Sequence, residues 1–359
     1  MRIAVDCHMV GQPRAGDAGN GRYAARLVAA LLATRSDGDE VAAFTAYPEA
    51  RTLLPGARHL AVPRSNVRRL ALAAPRHAAA ARLDAALFHY VAPPVRTCRQ
   101  LLVIHDPSFL LFPEWIDRRA RWLLRAAVPV AARRADMIVA VSHAAKQDLV
   151  AALRLEPERV HVVRTHPAPV FTPDGQAADR VHERFGLRRY LLAVGDVNPR
   201  KNLVALAEAV ATLGRPDLEL ALVGRPGFRG REILSRCRAR WLGHVTDEEL
   251  ADLYRAAAVT AYPSLYEGFG IPVLEALACG SPVVASRRGA IPEAAGDAAI
   301  LVEPDVQGLA EGIRAALEPA ESDRLRAAGP RQAASFSVEA TGQAGWAAFR
   351  AAATAEPAR

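Results

Sequence analysis

Short apolar segments with the composition of β-strands alternate with longer segments of helical periodicity along the whole chain. This alternation is typical of parallel sheets whose strands are joined by crossover helices, and it predicts the α/β class. The predicted strands are Arg2–Cys7, Val41–Thr45, Leu60–Val62, Ala85–His89, Leu101–His105, Met137–Val141, Tyr190–Gly195, Leu218–Gly224, Ala239–Leu242, Val259–Tyr262, Pro282–Ser286 and Ile300–Val302. The predicted helices are Gly21–Ala33, Arg118–Arg134, His143–Leu153, Asn202–Leu213, Asp247–Ala257, Ile271–Ala278 and Val306–Glu318.

The length of 359 residues favours two domains over one hydrophobic core. A proline-rich segment, 165–175, separates two series of strands and helices, so we assign residues 1–168 to the first domain and 169–336 to the second. The tail is apolar at helical spacing, and we predict that a C-terminal helix, 337–359, crosses back to the first domain. The expected architecture is two doubly wound, Rossmann-like parallel-sheet domains facing across a cleft, with ligands at the carboxyl ends of the strands.

The net charge of +8 rests on arginine, because Lys146 and Lys201 are the only lysines. It favours anionic partners such as nucleoside diphosphates or acidic membrane surfaces. Few aromatic residues and no run of basic residues argue against nucleic acid as a partner. An early strand with Asp6 and His8 argues against a signal peptide, and four scattered cysteines suggest buried, reduced thiols, so we expect a cytoplasmic protein without a metal site. No apolar run approaches the roughly 18 residues of a membrane span.

The most informative motif is Glu267-Gly-Phe-Gly-Ile-Pro-Val-Leu-Glu275. Gly268 and Gly270 permit a close approach of backbone to ligand, and Pro272 suits the first turn of a helix. The N-terminus of that helix can hold phosphate oxygens, while the two glutamates can accept hydrogen bonds from sugar hydroxyls. We predict that Glu275 is buried, since its neighbours are apolar, and a buried carboxylate needs partners. A strand–turn–helix junction with two surface glutamates is the less favoured alternative.

Arg200 and Lys201 form a second motif in the loop that follows Gly195 and opens a helix. They can neutralise a diphosphate, the arginine through its planar fork and the lysine as a compact charge. Because lysine is so rare in this chain, its presence in this loop favours a functional role. The alternative is a solvated basic pair at a helix start, which the helix dipole disfavours.

His105 ends a predicted buried strand, and Asp106 follows it. At this position a histidine can donate a hydrogen bond or a proton near neutrality, oriented by the neighbouring carboxylate. A purely structural histidine is the alternative. His89 and His8 hold similar positions at strand ends, and an acceptor-side role stays open for both.

Gly19-Asn20-Gly21 belongs to a glycine-rich segment that begins at Gly16. Its glycines follow the first strand by about ten residues, too late for a dinucleotide-binding fingerprint. A flexible loop arching over the cleft fits better, with the N-terminus of the next helix offering N–H groups to phosphate or acceptor. An ordinary loop is the alternative.

Trp115 and Trp122 interleave with arginines between positions 118 and 125. A basic amphipathic helix with tryptophans can lie at an anionic membrane surface. A solvated arginine face over an apolar core stripe is favoured, because arginine is abundant throughout the chain.

Taken together, the motifs resemble those of the retaining glycosyltransferases of family 4, which have the GT-B fold, and particularly their mannosyltransferase-like members. The similarity runs from about Gly16 to the C-terminal helix. It rests on Glu267 and Glu275 for the family signature, Arg200-Lys201 for the phosphate-binding segment, His105-Asp106 and Ala135–Leu149 for the N-terminal domain, and Gly19–Tyr23 for the glycine loop.

The resemblance implies a role for each matching position. Glu275 would bind the ribose hydroxyls of a nucleoside-diphosphate sugar, and Glu267 the hydroxyls of the transferred sugar. Arg200 and Lys201 would stabilise the leaving diphosphate, and His105 would lie beside the reacting sugar. The remaining implied donor-site positions are the backbone of Gly268, Phe269, Gly270 and Ile271, Gly195, and the backbone near His244 and Val245 at the base.

The implied activity is metal-independent, retaining transfer of a hexose, with no cofactor besides the donor substrate. GDP-mannose is favoured as donor and dTDP- or UDP-sugars stay open; the acceptor would be a saccharide, lipid-linked or natural-product hydroxyl, with peripheral contact with an anionic membrane as an open option. Two departures from the family pattern concern Asp196, where an arginine often stands, and Asn20 between the loop glycines. A nucleotide-sugar epimerase, a phosphorylase and a non-catalytic nucleotide-sugar-binding protein are the alternatives.

Overall fold

The computed structural model describes residues 1–12, 19–173 and 175–355, which divide into two compact units. The N-terminal unit comprises Met1–Pro113, Arg118–His166 and Ser337–Arg359, and the C-terminal unit comprises Glu114–Asp117 and Pro167–Phe336. The domain boundaries predicted from the sequence fall after residues 168 and 336, whereas the contacts within the structure divide the chain after 166 and 336.

A seven-stranded, wholly parallel sheet forms the centre of the N-terminal unit. Its strands are β1 (Arg2–Asp6), β2 (Glu40–Thr45), β3 (Arg58–Ala61), β4 (Ala85–His89), β5 (Arg99–Val103), β6 (Met137–Ala140) and β7 (Val160–Val162). The helices are α1 (Gly19–Ala33), α2 (Ala50–Leu53), α3 (Asn66–Arg68), α4 (Ala74–Ala80), α5 (Ser108–Leu111), α6 (Arg118–Arg134) and α7 (His143–Leu153). The strand order β3-β2-β1-β4-β5-β6-β7 reverses direction between β1 and β4.

The C-terminal unit repeats this plan with a six-stranded parallel sheet. Its strands are β8 (Tyr190–Val194), β9 (Glu219–Val223), β10 (Arg240–Gly243), β11 (Val259–Tyr262), β12 (Val283–Ser286) and β13 (Ala299–Val302). The helices are α8 (Ala177–Phe185), α9 (Leu203–Thr212), α10 (Gly230–Arg236), α11 (Asp247–Ala256), α12 (Ile271–Ala278), α13 (Ile291–Ala295), α14 (Val306–Leu317) and α15 (Pro319–Ala334). The order β10-β9-β8-β11-β12-β13 reverses between β8 and β11.

The last helix, α16 (Val338–Thr354), packs against α1 and so belongs to the N-terminal unit. Small residues allow the two helices to approach closely: a Cβ at Gly345 would lie 3.0 Å from a methyl group of Leu27. Trp346 is buried in the same contact, and its indole Nε1 donates to the Leu31 carbonyl at 3.1 Å. Helix α16 therefore completes the hydrophobic core of the N-terminal unit.

The doubly wound α/β class is confirmed for both units, and every predicted strand and helix is present. Their ends are shifted by at most two residues, except in the C-terminal helix, which was predicted over 337–359 and ends at Thr354. The prediction missed several elements, among them β7 and the helices α8, α10 and α15. Helix α15 begins at Pro319 and contains Pro330, so its sequence resembles a loop although tertiary packing keeps it helical.

The cysteines differ from the prediction in their exposure. Cys7 and Cys279 are buried as expected, but Cys98 and Cys237 are only partly buried, which corrects the expectation of four buried thiols. Among residues 1–12, 19–173 and 175–355, no helix combines the length and apolarity needed to cross a bilayer.

Replacing Trp346 by alanine should lower the free energy of unfolding of the N-terminal unit by about 3–5 kcal/mol, because it empties a buried site and removes a buried indole hydrogen bond. Chemical denaturation checks this. The matched control is Trp122→Ala, where the ring is 70% exposed and the change should be within about 0.5 kcal/mol. Equal losses in the two variants would contradict the packing described for α16.

Candidate active site

The carboxyl ends of β8 and β11 lie side by side where the strand order of the C-terminal sheet reverses. Doubly wound sheets bind their ligands at such reversals. Gly195 follows β8 with a φ of +135°, and a Cβ there would lie 2.7 Å from Cε of Lys201. Glycine is therefore needed where the lysine side chain crosses the end of the strand.

Lys201 is the centre of a buried polar cluster. Its Nζ donates to Oε1 of Glu267 at 2.7 Å and to the Tyr262 hydroxyl at 2.8 Å, and it lies 4.4 Å from the centre of the Tyr262 ring. Arg200 pairs with the other carboxylate oxygen of Glu267 and donates from Nη1 to the Tyr266 carbonyl at 2.8 Å. The structure thus brings together three residues that the sequence singled out from two separate motifs.

The charges of this cluster stabilise one another. Burial works to raise the pKa of Glu267, but Arg200 and Lys201 more than offset it and bring the pKa to about 2. Burial lowers the pKa of Lys201, and Glu267 opposes that shift. Glu267 is therefore ionised at neutral pH, and removal of one partner would leave a buried charge poorly compensated. Two cations and one carboxylate leave the cluster with one positive charge in excess, and because water screens it little, this charge suits an anionic ligand.

Gly289, whose φ is +56°, packs closely against the backbone of Glu267. A Cβ at Gly289 would lie 2.6 Å from the Glu267 carbonyl oxygen and 2.9 Å from its nitrogen. The N–H of Ala290 donates to that same carbonyl at 3.0 Å. The segment after β12 thereby fixes the loop that carries the carboxylate.

Helix α12 begins at Ile271, directly after Gly270, whose φ is +106°. Glu275 lies one turn inside this helix with none of its surface exposed, so its predicted burial is confirmed. Phe269 packs edge to face against Phe336, with ring centroids 5.7 Å apart. This contact anchors the loop by a side chain while its backbone continues into the helix.

The other predicted donor-site residues lie along the same edge of the C-terminal sheet. Gly268 is buried in the loop between Glu267 and α12. His244 and Val245 directly follow β10, with His244 exposed and Val245 buried. Because all six strands are parallel, these residues and Lys201 share the carboxyl edge of the sheet.

A second polar cluster lies at the reversal of the N-terminal sheet, between β1 and β4. Asp6 ends β1 and is buried; its carboxylate pairs with the buried Arg69 and lies 3.0 Å from Nδ1 of His8. Arg69 lies on a π-helical turn and donates from Nη2 to Asn66 Oδ1 at 3.0 Å. Burial works to raise the pKa of Asp6, yet His8 and Arg69 outweigh it and lower the pKa below its usual value.

His105 joins this cluster through His89. Nδ1 of His89 and Nε2 of His105 are 3.1 Å apart, and the two ring planes are within 5° of parallel. Burial lowers the pKa of both rings, that of His89 to about 4. The hydrogen-bond partner that the structure gives His105 is His89, whereas the Asp106 carboxylate accepts the backbone N–H of Ser108 at 2.8 Å.

The predicted glycine loop is also corrected. Gly19–Gly21 form the first turn of α1 and not a loop arching over a cleft. The same helix carries Tyr23, whose ring edge meets the His105 ring with centroids 5.1 Å apart. Gly16, where the predicted segment begins, lies outside the described residues.

Sequence reasoning missed Tyr262, Gly289 and the pair of Asp6 with Arg69. Tyr262 ends a predicted strand five residues before Glu267, and that position was a signal of a polar contact at the sheet edge. Gly289 stands in an unremarkable Arg-Arg-Gly-Ala turn, and Arg69 in an arginine-rich segment. The residues around Gly289 do not indicate that it packs against the backbone of Glu267, and those around Arg69 do not indicate that it pairs with Asp6.

Comparison with known proteins decides the family. Residues 188–319 match the family model described as "Glycosyl transferases group 1", and residues 19–165 match that described as "Glycosyltransferase Family 4". O-antigen chain mannosyltransferase B of Escherichia coli is 30% identical over 264 residues, which cover 68% of this chain and 68% of that protein. This chain is a family 4 glycosyltransferase.

Other mannosyl- and glycosyltransferases of this family, at 30–37% identity, are matched over half of their own length or less. Solved structures confirm the GT-B fold class. Sucrose-phosphate synthase from Thermosynechococcus elongatus has a TM-score of 0.75 at 22% identity, covering 98% of both chains. HepE from Anabaena, in complex with UDP and glucose, has a TM-score of 0.71 at 19% identity, covering 96% of this chain and 97% of that one.

In this glycosyltransferase, Gly195→Ala should lower glycosyl transfer at least about tenfold, because the new Cβ displaces the Lys201 side chain and strains the backbone. Steady-state rates check this. Gly214→Ala is the matched control: that glycine has a φ of +62°, but a Cβ added there would meet no atom within 4 Å. If both variants transferred glycosyl groups at the same rate, the space that Gly195 leaves for Lys201 would not be needed for activity.

A pH dependence follows from the two buried imidazoles. The pKa of His89 is about 6.5 in the unfolded chain and about 4 in the folded chain, so between these pH values the unfolded chain binds more protons. The contribution of the neutral His89 ring to the free energy of unfolding is therefore fully present above pH 6.5 and decreases as the pH falls below it. His89 alone should account for a loss of about 2 kcal/mol between pH 7 and pH 5. His89→Gln should reduce this pH dependence, whereas His182→Gln, at an exposed position, should not. Urea unfolding at the two pH values decides, and identical slopes in all three proteins would contradict the prediction.

Proposed function

We propose that this family 4 glycosyltransferase transfers a hexose from a nucleoside-diphosphate sugar with retention of configuration and without a metal. The observation that carries the proposal is the ionised, buried carboxylate of Glu267 held between Lys201 and Arg200 at the strand reversal. A cluster of this kind offers fixed positive charge and a hydrogen-bond acceptor within one site. Both are needed to bind a sugar diphosphate and to let its diphosphate depart.

Transfer develops oxocarbenium character on the sugar and negative charge on the leaving diphosphate. Arg200, Lys201 and the N-terminus of α12 would stabilise that negative charge, in place of a metal ion. Each contact of this type contributes a few kcal/mol to lowering a barrier, by analogy with single oxyanion donors. The acceptor would attack from the face of the leaving group, with no covalent protein intermediate.

Apart from His105, the residues that would hold the donor lie at the carboxyl edge of the C-terminal sheet. Glu275 would bind the ribose hydroxyls, and Glu267 the hydroxyls of the sugar. His105 would lie beside the reacting sugar as a neutral imidazole, consistent with the lowered pKa that burial gives it. The backbone of Gly268–Ile271 would reach sugar and phosphate, Gly195 would make room for Lys201, and the backbone near His244 and Val245 would contact the base.

We favour GDP-mannose as donor, because the chain is similar to an O-antigen mannosyltransferase over 68% of its length. UDP- and dTDP-sugars are the competing donors, and HepE, which shares the fold, has been solved with UDP and glucose. The acceptor would be a saccharide, lipid-linked or natural-product hydroxyl in polysaccharide or glycolipid synthesis in the cytoplasm, with peripheral contact with an anionic membrane.

The test is turnover with GDP-, UDP-, dTDP- and ADP-sugars in the presence of EDTA, comparing Glu275→Ala and Lys201→Ala with the unmodified protein. Each substitution should lower turnover more than tenfold while both variants stay folded at the assay temperature, as thermal unfolding checks. Glu248→Ala and Arg236→Ala remove exposed charges of the same type and should be neutral. Near-normal rates in both site variants would overturn the proposal.

Product analysis separates the alternatives. A transferase releases nucleoside diphosphate and joins the sugar to an acceptor with its anomeric configuration kept. An epimerase converts the sugar of the donor incubated alone while the diphosphate stays attached. A binding protein binds donor, detected as a thermal shift, and releases no diphosphate with any acceptor.

A further inference from the structure

The net positive charge of the chain comes from its N-terminal half. Residues 1–166 contain 24 of the 46 Lys and Arg residues and 14 of the 38 Asp and Glu residues, which gives this half a net charge of +10. Residues 167–359 carry a net charge of −2. Of the ten strongly exposed large hydrophobic side chains among the described residues, eight lie between positions 53 and 130. Basic charge and exposed apolar surface therefore occur in the same unit.

Helix α6 carries both features together. Its sequence contains six arginines and no acidic residue, and Val128 and Ala132 are its only buried residues. Trp122, Leu123 and Val130 are 70%, 51% and 52% exposed. The sequence favoured a solvated arginine face over an apolar core stripe, but the structure directs these apolar side chains to solvent.

The exposed residues of α6 form one continuous face. At 100° per residue, Trp122, Val130 and Leu123 fall within the same third of the helix circumference as the exposed Arg133 and Arg134. Helix α15 shows that the arginine content of the chain does not explain this pattern, because the same helix contains Glu321 and Asp323 beside its three arginines.

A second basic segment lies in the same unit. Between Glu49 and Asp84 the chain has seven arginines and no acidic residue, and Val67 and Leu72 are 76% and 51% exposed. The connections from β3 to β4 and from β5 to β6 run in the same direction along the sheet. Right-handed crossovers therefore place this segment and α6 on the same face of the N-terminal sheet.

We propose that the exposed face of α6, together with the segment 64–80, is a docking surface for a bilayer that contains anionic lipids. The arginines complement lipid phosphates, and the tryptophan and aliphatic side chains suit the boundary between headgroups and acyl chains. The arginines would also attract a nucleic acid or an acidic polysaccharide, but neither of these would bury the exposed apolar side chains. Its use in catalysis, which rests on the proposed function, would be to bring a lipid-linked acceptor to the enzyme.

The test is co-sedimentation of the full chain with vesicles of phosphatidylcholine, with and without phosphatidylglycerol. Binding should require the anionic lipid and decrease with salt. Arg133→Gln/Arg134→Gln should weaken it by about fivefold per charge, and Trp122→Ser/Leu123→Ser should weaken it at every salt concentration. The tryptophan emission should shift to shorter wavelength on binding in the unmodified protein and less in the Trp122 variant.

Matched controls come from the C-terminal unit. Arg236→Gln/Arg238→Gln removes two exposed charges, and Phe228→Ser removes an exposed apolar ring; both should leave vesicle binding unchanged. No binding by the unmodified protein, equal binding to neutral vesicles, binding of an oligonucleotide in preference to vesicles, or equal losses in the controls would each overturn the proposal. Transfer to a water-soluble acceptor should be unaffected in the α6 variants, so failed vesicle binding is distinguishable from failure of the proposed function.

Discussion

The ion pairs of Glu267 with Lys201 and Arg200 are the interaction around which the C-terminal unit is arranged. Burying a carboxylate is unfavourable unless its partners are held in good geometry, and this geometry is provided by backbone at three places. Gly195 leaves room for the Lys201 side chain, and Gly289 packs closely against the backbone of Glu267. The turn before α9 places Arg200 and Lys201 next to each other. The site is thus preorganised by the segments that follow β8 and β12, the two strands on either side of β11, which Glu267 follows.

The N-terminal unit also buries a carboxylate at the point where the order of its strands reverses. There a buried carboxylate, Asp6, is matched by Arg69 and by an imidazole, and a pair of neutral histidines extends the cluster. The two clusters differ in electrostatic character. One contains the cations Arg200 and Lys201, and the other contains imidazoles of low basicity. This difference supports the proposal that the donor binds to the C-terminal unit and the acceptor to the N-terminal unit.

Much of this could be predicted from the sequence, because the decisive signals are local. Strands and helices follow from periodicity, and Glu267, Glu275, Arg200 and Lys201 stand in motifs whose residue types match their chemistry. What could not be predicted depends on distant contacts: the partner of His105, the carboxylate that Arg69 meets, and the outward direction of Trp122. The helix was predicted to begin at Gly21, and its first two residues, Gly19 and Asn20, were missed because glycine and asparagine favour loops and turns.

The position of α16 has a consequence for how the protein is made. The N-terminal unit needs Trp346 and its neighbours to close its core, yet they follow the whole C-terminal unit in the chain. The C-terminal unit, contained in residues 167–336 apart from a four-residue segment, can fold while the sheet of the N-terminal unit still lacks one covering helix. Apolar surface on α1 therefore stays open until α16 has been made, so the N-terminal unit becomes resistant to proteolysis only after the C-terminal unit has been synthesised.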